Sequence, residues 1–482
     1  MEIQQEIAGY VAAFSLRNVS EEIRECALRA FTDTVAAILL GAAMEQVQDV
    51  AKALDVKIKN SEKLTEPAEK AGFVKAAEGI GETGAVKDRT PTVLGYGHCQ
   101  AVLTDAVLLN AVSAHSCEYN DLFYGLPGHP SAVLAPVVLG LGERLHKSGY
   151  EVLEAYICGF EVLGRINEAL MPEHHIRGFH STSTAGIIGA AMAAGKLLGM
   201  TDEELINTCS MACTFACGLR GNFGYTGNSL HVGNAAANGL RAALYVRSGI
   251  RAPKDLLDRP DGYIAAFAGN REKLGRLAGL LGKVSVFETP GLLLKKYPTC
   301  FSTYQAIEAA RQFVREHPIR AEDIEQMECL TSPNHYMSLP SLWPGSIYEQ
   351  RFCIPFCICW VLAGGRLSAA EFSKAHYEDA RLYPFRAKLR YGEETAQRGD
   401  KGFGSTLLRV WGKAGQMWEY RTFPNPCERV EGWSEAALRE KFDACCNAFF
   451  QEAELDRLWD SCRSLTKIED IAKWLHEYFK GR

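Results

Sequence analysis

The sequence lacks the features that mark several large classes of protein. It has no block of basic residues, and its formal net charge of −6 argues against binding to nucleic acid. It has no uninterrupted apolar run long enough for a membrane span, about 18 residues or more. No basic flank precedes an apolar stretch at the N-terminus, so we expect no secretory signal and a cytoplasmic location. A glycine-rich loop between a strand and a helix is missing too, which argues against a dinucleotide site.

Cysteine is abundant, but it does not follow a metal-binding pattern. None of the 16 cysteines form Cys-x-x-Cys pairs. Cys209, Cys213 and Cys217 recur every four residues and so share one face of a predicted helix over residues 204–219. Thiols on successive turns of a straight helix are about 6 Å apart along its axis, so three of them cannot converge on one zinc ion or cluster. We interpret these cysteines as small buried apolar residues.

Length and periodicity predict two domains in one chain. A chain of 482 residues exceeds what a single core normally holds. Helical spacing dominates residues 1–280, where Ser20 caps a helix that continues to Gly41, and it returns over residues 424–482. Within residues 281–423, strand patterns occur at residues 283–287, 325–330, 406–411 and 417–422, with a predicted helix at 348–362. We predict a mainly α protein whose two chain ends form one helical domain, with an inserted α+β lid over residues 281–423.

Three histidines stand at predicted helix starts. His129 precedes the apolar run 132–145, His180 precedes a helix of small residues over 183–198, and His231 precedes the run 232–246. A helix N-terminus offers free N–H groups and the positive end of a dipole, so it favours an anion and keeps an imidazole neutral. We therefore predict that these histidines meet an anionic ligand and exchange protons with it. The alternative for each is an ordinary capping or core role.

The loop before His129 is rich in polar side chains. It contains His115, Glu118, Asn120, Asp121 and Tyr124. Acidic groups just before a histidine can fix its tautomer or hold a proton. The alternative is that Asn and Asp before a Gly/Pro stretch only form a turn.

Taken together, these motifs resemble those of the MmgE/PrpD superfamily, which includes 2-methylcitrate dehydratase, cis-aconitate decarboxylase and iminodisuccinate epimerase. The similar motifs follow one another along nearly the whole chain: Val93-Leu94-Gly95, His129-Pro130-Ser131, Gly178-Phe179-His180 through Gly199, Leu230-His231-Val232 through Ala236, Lys296-Tyr297-Pro298-Thr299-Cys300, Tyr336, and Lys441-Phe442. The resemblance implies a helical domain from both chain ends, an inserted lid, a homodimer and no metal or organic cofactor.

The resemblance also implies an activity. The family acts on small di- or tricarboxylates by moving a proton at carbon next to a carboxylate. By position, His129, His180 and Tyr336 match family active-site residues, and Lys296 lies in the matching lid motif. The expected function is that of a lyase, either a dehydratase or a decarboxylase. The alternatives are an isomerase or epimerase, and a catalytically silent paralogue that binds a metabolite.

Two departures from the family pattern concern the predicted substrate contacts, which are Glu118, Asp121, Arg220, Asn228, His231 and Lys296. Where decarboxylase and epimerase members carry Asp-x-Asp-Asp-Thr, this chain has Glu118-Tyr119-Asn120-Asp121-Leu122. Asn228 stands where the family has a lysine, and an amide cannot shuttle a proton. Arg220 lies in the same connection, so we predict that it takes the place of this lysine; the alternative is a solvated surface arginine.

Overall fold

The computed structural model describes residues 3–58, 91–96, 99–124, 126–268, 279–318, 320–339, 342–372, 374–397, 404–422 and 428–479. Most of the described chain is helical. The helices before the lid are α1 (Ile3–Ala13), α2 (Glu21–Ala42), α3 (Glu45–Ala53), α4 (Leu103–Ser116), α5 (Pro130–Arg144), α6 (Gly149–Leu170), α7 (Glu173–Ile176), α8 (Ser181–Thr184), α9 (Gly186–Leu198), α10 (Asp202–Phe215), α11 (Thr226–Arg247) and α12 (Tyr263–Ala268).

The lid carries short helices around a small sheet, and three helices follow it. The lid helices are α13 (Tyr304–Glu316), α14 (Pro333–Ser338), α15 (Ile354–Leu362), α16 (Ala369–Phe372) and α17 (Tyr383–Arg386). The last three are α18 (Glu435–Cys446), α19 (Glu452–Arg463) and α20 (Ile471–Phe479). The strands are β1 (Lys57–Ile58), β2 (Cys99–Gln100), β3 (Leu122–Phe123), β4 (Leu292–Leu293), β5 (Ile324–Thr331), β6 (Leu389–Glu393), β7 (Thr406–Gly412) and β8 (Met417–Thr422).

Two hydrophobic cores account for this arrangement. The larger core combines residues from the N-terminal helices with residues of the last three helices, because α18 and α19 pack against α2, and α20 packs against α5. The smaller core lies in the lid and includes Tyr304, Phe356 and Trp360. The predicted fold class is therefore confirmed, whereas the boundaries 1–280, 281–423 and 424–482 remain predictions.

Close helix packing around α9 explains its small side chains. A Cβ atom placed on Gly159 in α6 would lie 2.7 Å from the carbonyl oxygen of Gly189 in α9, and one on Gly189 would lie 2.8 Å from that of Gly159. These separations leave room only for hydrogen at both positions. The helix predicted over residues 183–198 is divided at Ala185 into α8 and α9.

The lid sheet has the strand order β6-β5-β7-β8. β5 pairs in parallel with β6 and in antiparallel fashion with β7, which continues antiparallel to β8. Helix α13 packs on β7 and β8, and α15 packs on α13. The strands predicted at 325–330, 406–411 and 417–422 are thus confirmed.

Some predicted elements are wrong. Residues 283–287 form no strand but a turn that enters a kinked helical segment over Phe287–Gly291. The helix predicted over 348–362 is interrupted at extended Cys353, because Pro355 has no N–H group with which to continue it. The prediction that three cysteines share one helix face holds for only two of them. Cys209 and Cys213 are buried in α10, but Cys217 lies beyond the helix and is exposed.

Among the described residues, no single helix is long and apolar enough to cross a membrane. Only the bent pair of α2 and α3, which meet at 80°, passes that test of length and composition together.

Candidate active site

The loop after α4 is tied to the segment that leads into the lid. His115 lies in the last turn of α4, and Glu118 follows with a positive φ of 50°. Farther along the loop, β3 pairs with β4, with Leu122 opposite Leu293. This short pairing brings Lys295 to the loop, where its Nζ lies 2.8 Å from Oε2 of Glu118.

Four side chains form what we call the inner cluster: His115, Glu118, Asn228 and Lys295. All four are buried. Glu118 Oε1 lies 3.2 Å from Nε2 of His115 and 3.3 Å from Nδ2 of Asn228, which stands in the first turn of α11. The same Asn228 nitrogen lies 3.2 Å from His115 Nε2. The lid contributes Tyr348, whose hydroxyl lies 3.4 Å from Asn228 Nδ2.

The inner cluster is balanced in charge. Burial alone would raise the pKa of Glu118, but Lys295 and then His115 outweigh burial and lower it. Glu118 is therefore a carboxylate. The pKa of His115 is lowered because burial outweighs the attraction of that carboxylate. A neutral histidine and one ion pair result.

His129 is held in one orientation at the start of α5. Its Nδ1 lies 2.7 Å from the backbone carbonyl oxygen of Asp121, and because a carbonyl can only accept, Nδ1 carries the proton. In the neutral ring, Nε2 is then left as the proton acceptor. Burial and then the charge of Lys295 hold the pKa of His129 well below its usual range.

Asp121 itself occupies the helix start that the sequence predicts to bind a ligand. Its carboxylate accepts hydrogen bonds from the backbone N–H of Ser131, at 3.3 Å, and from the Ser131 hydroxyl. Burial raises the pKa of Asp121 to about 7 in spite of these hydrogen bonds. Asp121 thus satisfies the N-terminus of α5 and orients His129.

His180 is the second histidine at a helix start, directly before α8. It is buried, and its Nδ1 has no hydrogen-bond partner among the described residues. Its ring centroid lies 6.0 Å from that of His115 and 5.9 Å from that of His231, and Phe223 meets it edge-on at 5.2 Å. Burial and then the neighbouring histidines keep the pKa of His180 well below its usual range, so this ring is neutral as well.

A cavity of about 140 Å³ lies between the helical domain and the lid. His129, His175, His180 and Thr182 line it from the helical side, and Cys300, Asn334 and His335 line it from the lid. The rest of its wall is largely apolar, including Leu122, Leu126, Met171, Phe223 and Phe301. A small apolar cavity with a few convergent polar groups is the usual form of a small-molecule site.

The other predicted site residues lie in different places. Tyr336 packs against Tyr391, at 5.3 Å between ring centroids, and does not line the cavity. Lys296 is half exposed and lies 3.5 Å from Glu308, outside the inner cluster. Arg220 is buried and is not among the residues that line the cavity.

His231 does not start a helix, because α11 already begins at Thr226. It stands in the second turn, with Nε2 3.2 Å from the side-chain nitrogen of Asn222.

The sequence patterns assign no role to four residues of the site: His115, His335, Lys295 and Tyr348. Lys295 directly precedes Lys296, and residues 292–295 are all buried, so no alternation in the sequence tells the two lysines apart. His335 precedes Tyr336 on a six-residue helix, where one position decides which face a side chain occupies.

Three residues of the site also have the spacing of metal ligands. Ligand atoms of His115, Glu118 and His129 all lie within 4.8 Å of one another, a spacing that an ion can bridge. However, the Lys295 ammonium already binds Oε2 of Glu118. The positive charge that an ion would bring is therefore already present.

Comparison with known proteins gives matches along most of the chain. Residues 68–274 match the family model described as the MmgE/PrpD N-terminal domain, and residues 297–465 match the MmgE/PrpD C-terminal domain.

Curated proteins with two activities are similar to this chain. Cis-aconitate decarboxylase of Homo sapiens is 26% identical over 392 residues, which are 78% of each chain. Cis-aconitate decarboxylase of Aspergillus terreus is 28% identical over 406 residues, or 80% of this chain and 82% of the relative. 2-Methylcitrate dehydratase of Escherichia coli K12 is 26% identical over 304 residues, or 59% of this chain and 61% of the relative.

Proposed function

Because this chain belongs to the MmgE/PrpD family, we propose that it is a cofactor-independent lyase for a small tricarboxylate or dicarboxylate. Its relatives named above are a decarboxylase and a dehydratase. In the proposed reaction, a bond next to a carboxylate breaks with release of carbon dioxide or water, and a proton moves to or from the adjacent carbon.

The observation that carries this proposal is the pair of neutral histidines on the cavity wall. His129 presents an unprotonated Nε2, because its Nδ1–H is bound to the Asp121 carbonyl. His180 lines the same cavity and has no partner at Nδ1 among the described residues. A neutral imidazole can take a proton from carbon, and the imidazolium that forms can return it.

The two histidines fit both lyase reactions. In a dehydration, one neutral ring takes the proton from carbon, and the imidazolium that forms gives it, directly or through the second ring, to the departing hydroxyl, which leaves as water. In a decarboxylation, the electron pair of the broken C–C bond stays on carbon, and a ring that has first taken a proton from solvent supplies it there. His129 and His180 place two proton-transfer groups on the wall of one cavity.

We also propose a cytoplasmic homodimer. This follows from the family resemblance and from the amino-acid composition. Sedimentation velocity of the purified protein checks the oligomeric state, with the dimer mass expected and a monomer contradicting it.

Turnover of the two substrates named in the relatives tests the proposal. The purified protein is incubated with cis-aconitate and with 2-methylcitrate while released carbon dioxide and new C=C absorbance are followed. We expect one of the two signals with a small tricarboxylate. Exchange of a carbon-bound proton without either signal would instead indicate an isomerase, and no reaction with any di- or tricarboxylate would contradict the proposal.

A further inference from the structure

Arg220 is a buried cation for which the described residues offer no counter-charge. The residue is only 9% exposed, and Nη1 has no hydrogen-bond partner among the described residues. In the part of the chain that the structure describes, no carboxylate forms an ion pair with it. Removing a guanidinium from water without a partner is costly, so proteins normally pair such a group or use it to bind an anion.

The backbone fixes Arg220 firmly. Phe179 and Leu219 form an antiparallel bridge, in which Arg220 N donates to the Gly178 carbonyl at 2.8 Å and His180 N donates to the Gly218 carbonyl at 3.1 Å. A short 3-10 turn over Arg220–Asn222 follows. The segment that carries Arg220 is therefore attached to the residues directly before His180.

This attachment puts Arg220 next to the cavity wall. His175 lines the cavity, and burial and then the charge of Arg220 lower the pKa of His175 to about 3. Phe223 also lines the cavity and packs edge-on against His180, only one residue after the turn that begins with Arg220. Arg220 itself is not among the residues that line the cavity; the bridge and the turn place it behind the wall that His175 and Phe223 form.

The sequence predicts that Arg220 takes the place of a lysine at Asn228, but in the structure another cation occupies that place. Asn228 belongs to the inner cluster, where Lys295 already supplies the positive charge. The buried Arg351 is likewise engaged, because it donates to the carbonyls of Cys117, Pro298 and Phe372. Of these three buried cations, Arg220 is the one that has no partner among the described residues.

A carboxylate that enters the cavity needs such a charge. The histidines on the wall are neutral, and Lys295 is compensated by Glu118, so neither cancels several negative charges on a substrate. A guanidinium offers a planar fork of N–H donors that matches a carboxylate, and the neutral ring of His175 can add one hydrogen bond.

We propose that Arg220, assisted by His175, binds the carboxylate of the substrate that is not attached to the reacting carbon. This subsite makes the enzyme select tricarboxylates over dicarboxylates. The inference rests on the proposed lyase function, and it assigns to Arg220 substrate selection and not proton transfer.

Binding of an unreactive tricarboxylate separates this inference from the question of turnover. Propane-1,2,3-tricarboxylate and methylsuccinate, which lacks one carboxylate of the former, are titrated calorimetrically into wild type, Arg220→Met and Arg220→Lys. Arg177→Met is the matched control, because Arg177 is an exposed arginine in the same region that stacks on Phe179. Melting temperatures without ligand are recorded for each variant.

For Arg220→Met we expect tricarboxylate affinity to fall about 10- to 150-fold, as for loss of a charge-assisted contact. Methylsuccinate affinity should stay within about twofold, Arg220→Lys should recover part of the loss, and Arg177→Met should match wild type. The melting temperature of Arg220→Met should not fall, because no partner in the described chain loses a contact.

Equal affinity of wild type and Arg220→Met for the tricarboxylate would overturn the subsite, even if the enzyme turns over its substrate normally. A lowered melting temperature with equal losses for both ligands would overturn it too, since that indicates a structural role. Conversely, selective loss of tricarboxylate binding supports the subsite even if turnover identifies another reaction.

Discussion

The two cavity histidines are chemically similar but are held in different ways. His129 is fixed by the Asp121 carbonyl and has a defined tautomer, whereas His180 keeps an unpartnered Nδ1 within the described chain. A ring with one fixed N–H is suited to accept a proton at the other nitrogen. This difference favours His129 as the base that acts on carbon and His180 as its partner.

Replacing either histidine should remove turnover without unfolding the protein. We expect His129→Gln and His180→Gln to lower kcat by about 10²–10⁴-fold, because each removes a general acid or base. His146→Gln is the control, since His146 is exposed and follows the C-terminal end of α5, whereas His129 precedes its first residue. Activity within a few-fold of wild type in either cavity variant would exclude that histidine from the reaction.

The buried histidines also predict how stability depends on pH. The folded-state pKa values of His129 and His180 lie well below 6.5, and burial lowers those of His174, His175 and His335 to about 3, about 3 and about 4. The unfolded chain therefore binds more protons below pH 6.5, so stability is fully present above that pH and is lost as the pH falls.

We expect the free energy of unfolding to decrease between pH 7.5 and pH 5.5. Each such histidine contributes a loss of about 1.4 kcal/mol at one pH unit below its unfolded pKa. Asp121, whose pKa is raised to about 7, acts in the opposite direction and offsets part of this loss. Urea unfolding at both pH values measures the difference, and equal or greater stability at pH 5.5 would show that the rings are not buried as neutral groups.

The sequence identifies some of these residues but not others. His129 and His180 are predicted from helix-start patterns, and the structure places both at helix starts on the cavity wall. Tyr336 and Lys296 are each one residue from a side chain that reaches the site, His335 and Lys295. Motif position alone does not decide which of two neighbours points inward, because tertiary packing of a short helix or a fully buried segment sets that choice.

At the scale of elements, the pairing of β3 with β4 is what assembles the inner cluster. Each strand contributes only two residues to this pairing, yet it joins the loop after α4 to the entry of the lid. The sequence does not reveal it, since two-residue strands carry no periodicity. The longer strands β5, β7 and β8 are predictable because their apolar patterns extend over six residues or more.

The neighbouring lysines provide a test of this assembly. Lys295→Met leaves the buried Glu118 without its cation, so we expect about 3–5 kcal/mol of destabilisation and loss of turnover. Lys296→Met should change stability by less than about 0.5 kcal/mol, because its contact with Glu308 is half exposed. Thermal and urea unfolding measure both effects.

A double variant completes the lysine test. Lys295→Met combined with Glu118→Gln removes both charges, so much of the stability should return while turnover stays lost. If Lys295→Met and Lys296→Met behave alike, the inner cluster is not assembled as described.

At the scale of the whole molecule, buried Arg351 joins the two cores. Its guanidinium donates to Cys117 in the loop after α4 and to Pro298 and Phe372 in the lid. The cavity lies where these parts meet. Family and fold class were predictable from motifs spread over the whole chain, and both are confirmed. The contacts across the cleft were not predictable, because they join residues far apart in sequence.

The charge balance of the inner cluster predicts activity without a metal ion. Since Lys295 already binds Glu118, we expect a chelator to leave kcat and the melting temperature unchanged. Elemental analysis of the purified protein accompanies the assay. A stoichiometric metal that is removed together with activity would refute this assignment.

Deuterium exchange measures the central claim most directly, namely that His129 and His180 move a proton at carbon next to a carboxylate. The enzyme is incubated in D2O with the tricarboxylate that it turns over, and NMR follows deuterium at that carbon in substrate and product. We predict deuterium at this one carbon with wild type, in the product if the reaction is a decarboxylation and in the recovered substrate if it is a dehydration, and none above background with His129→Gln or His180→Gln. A decarboxylation product without deuterium at this carbon, a dehydration whose recovered substrate stays unlabelled, or labelling that persists at the wild-type rate in either variant would contradict the account.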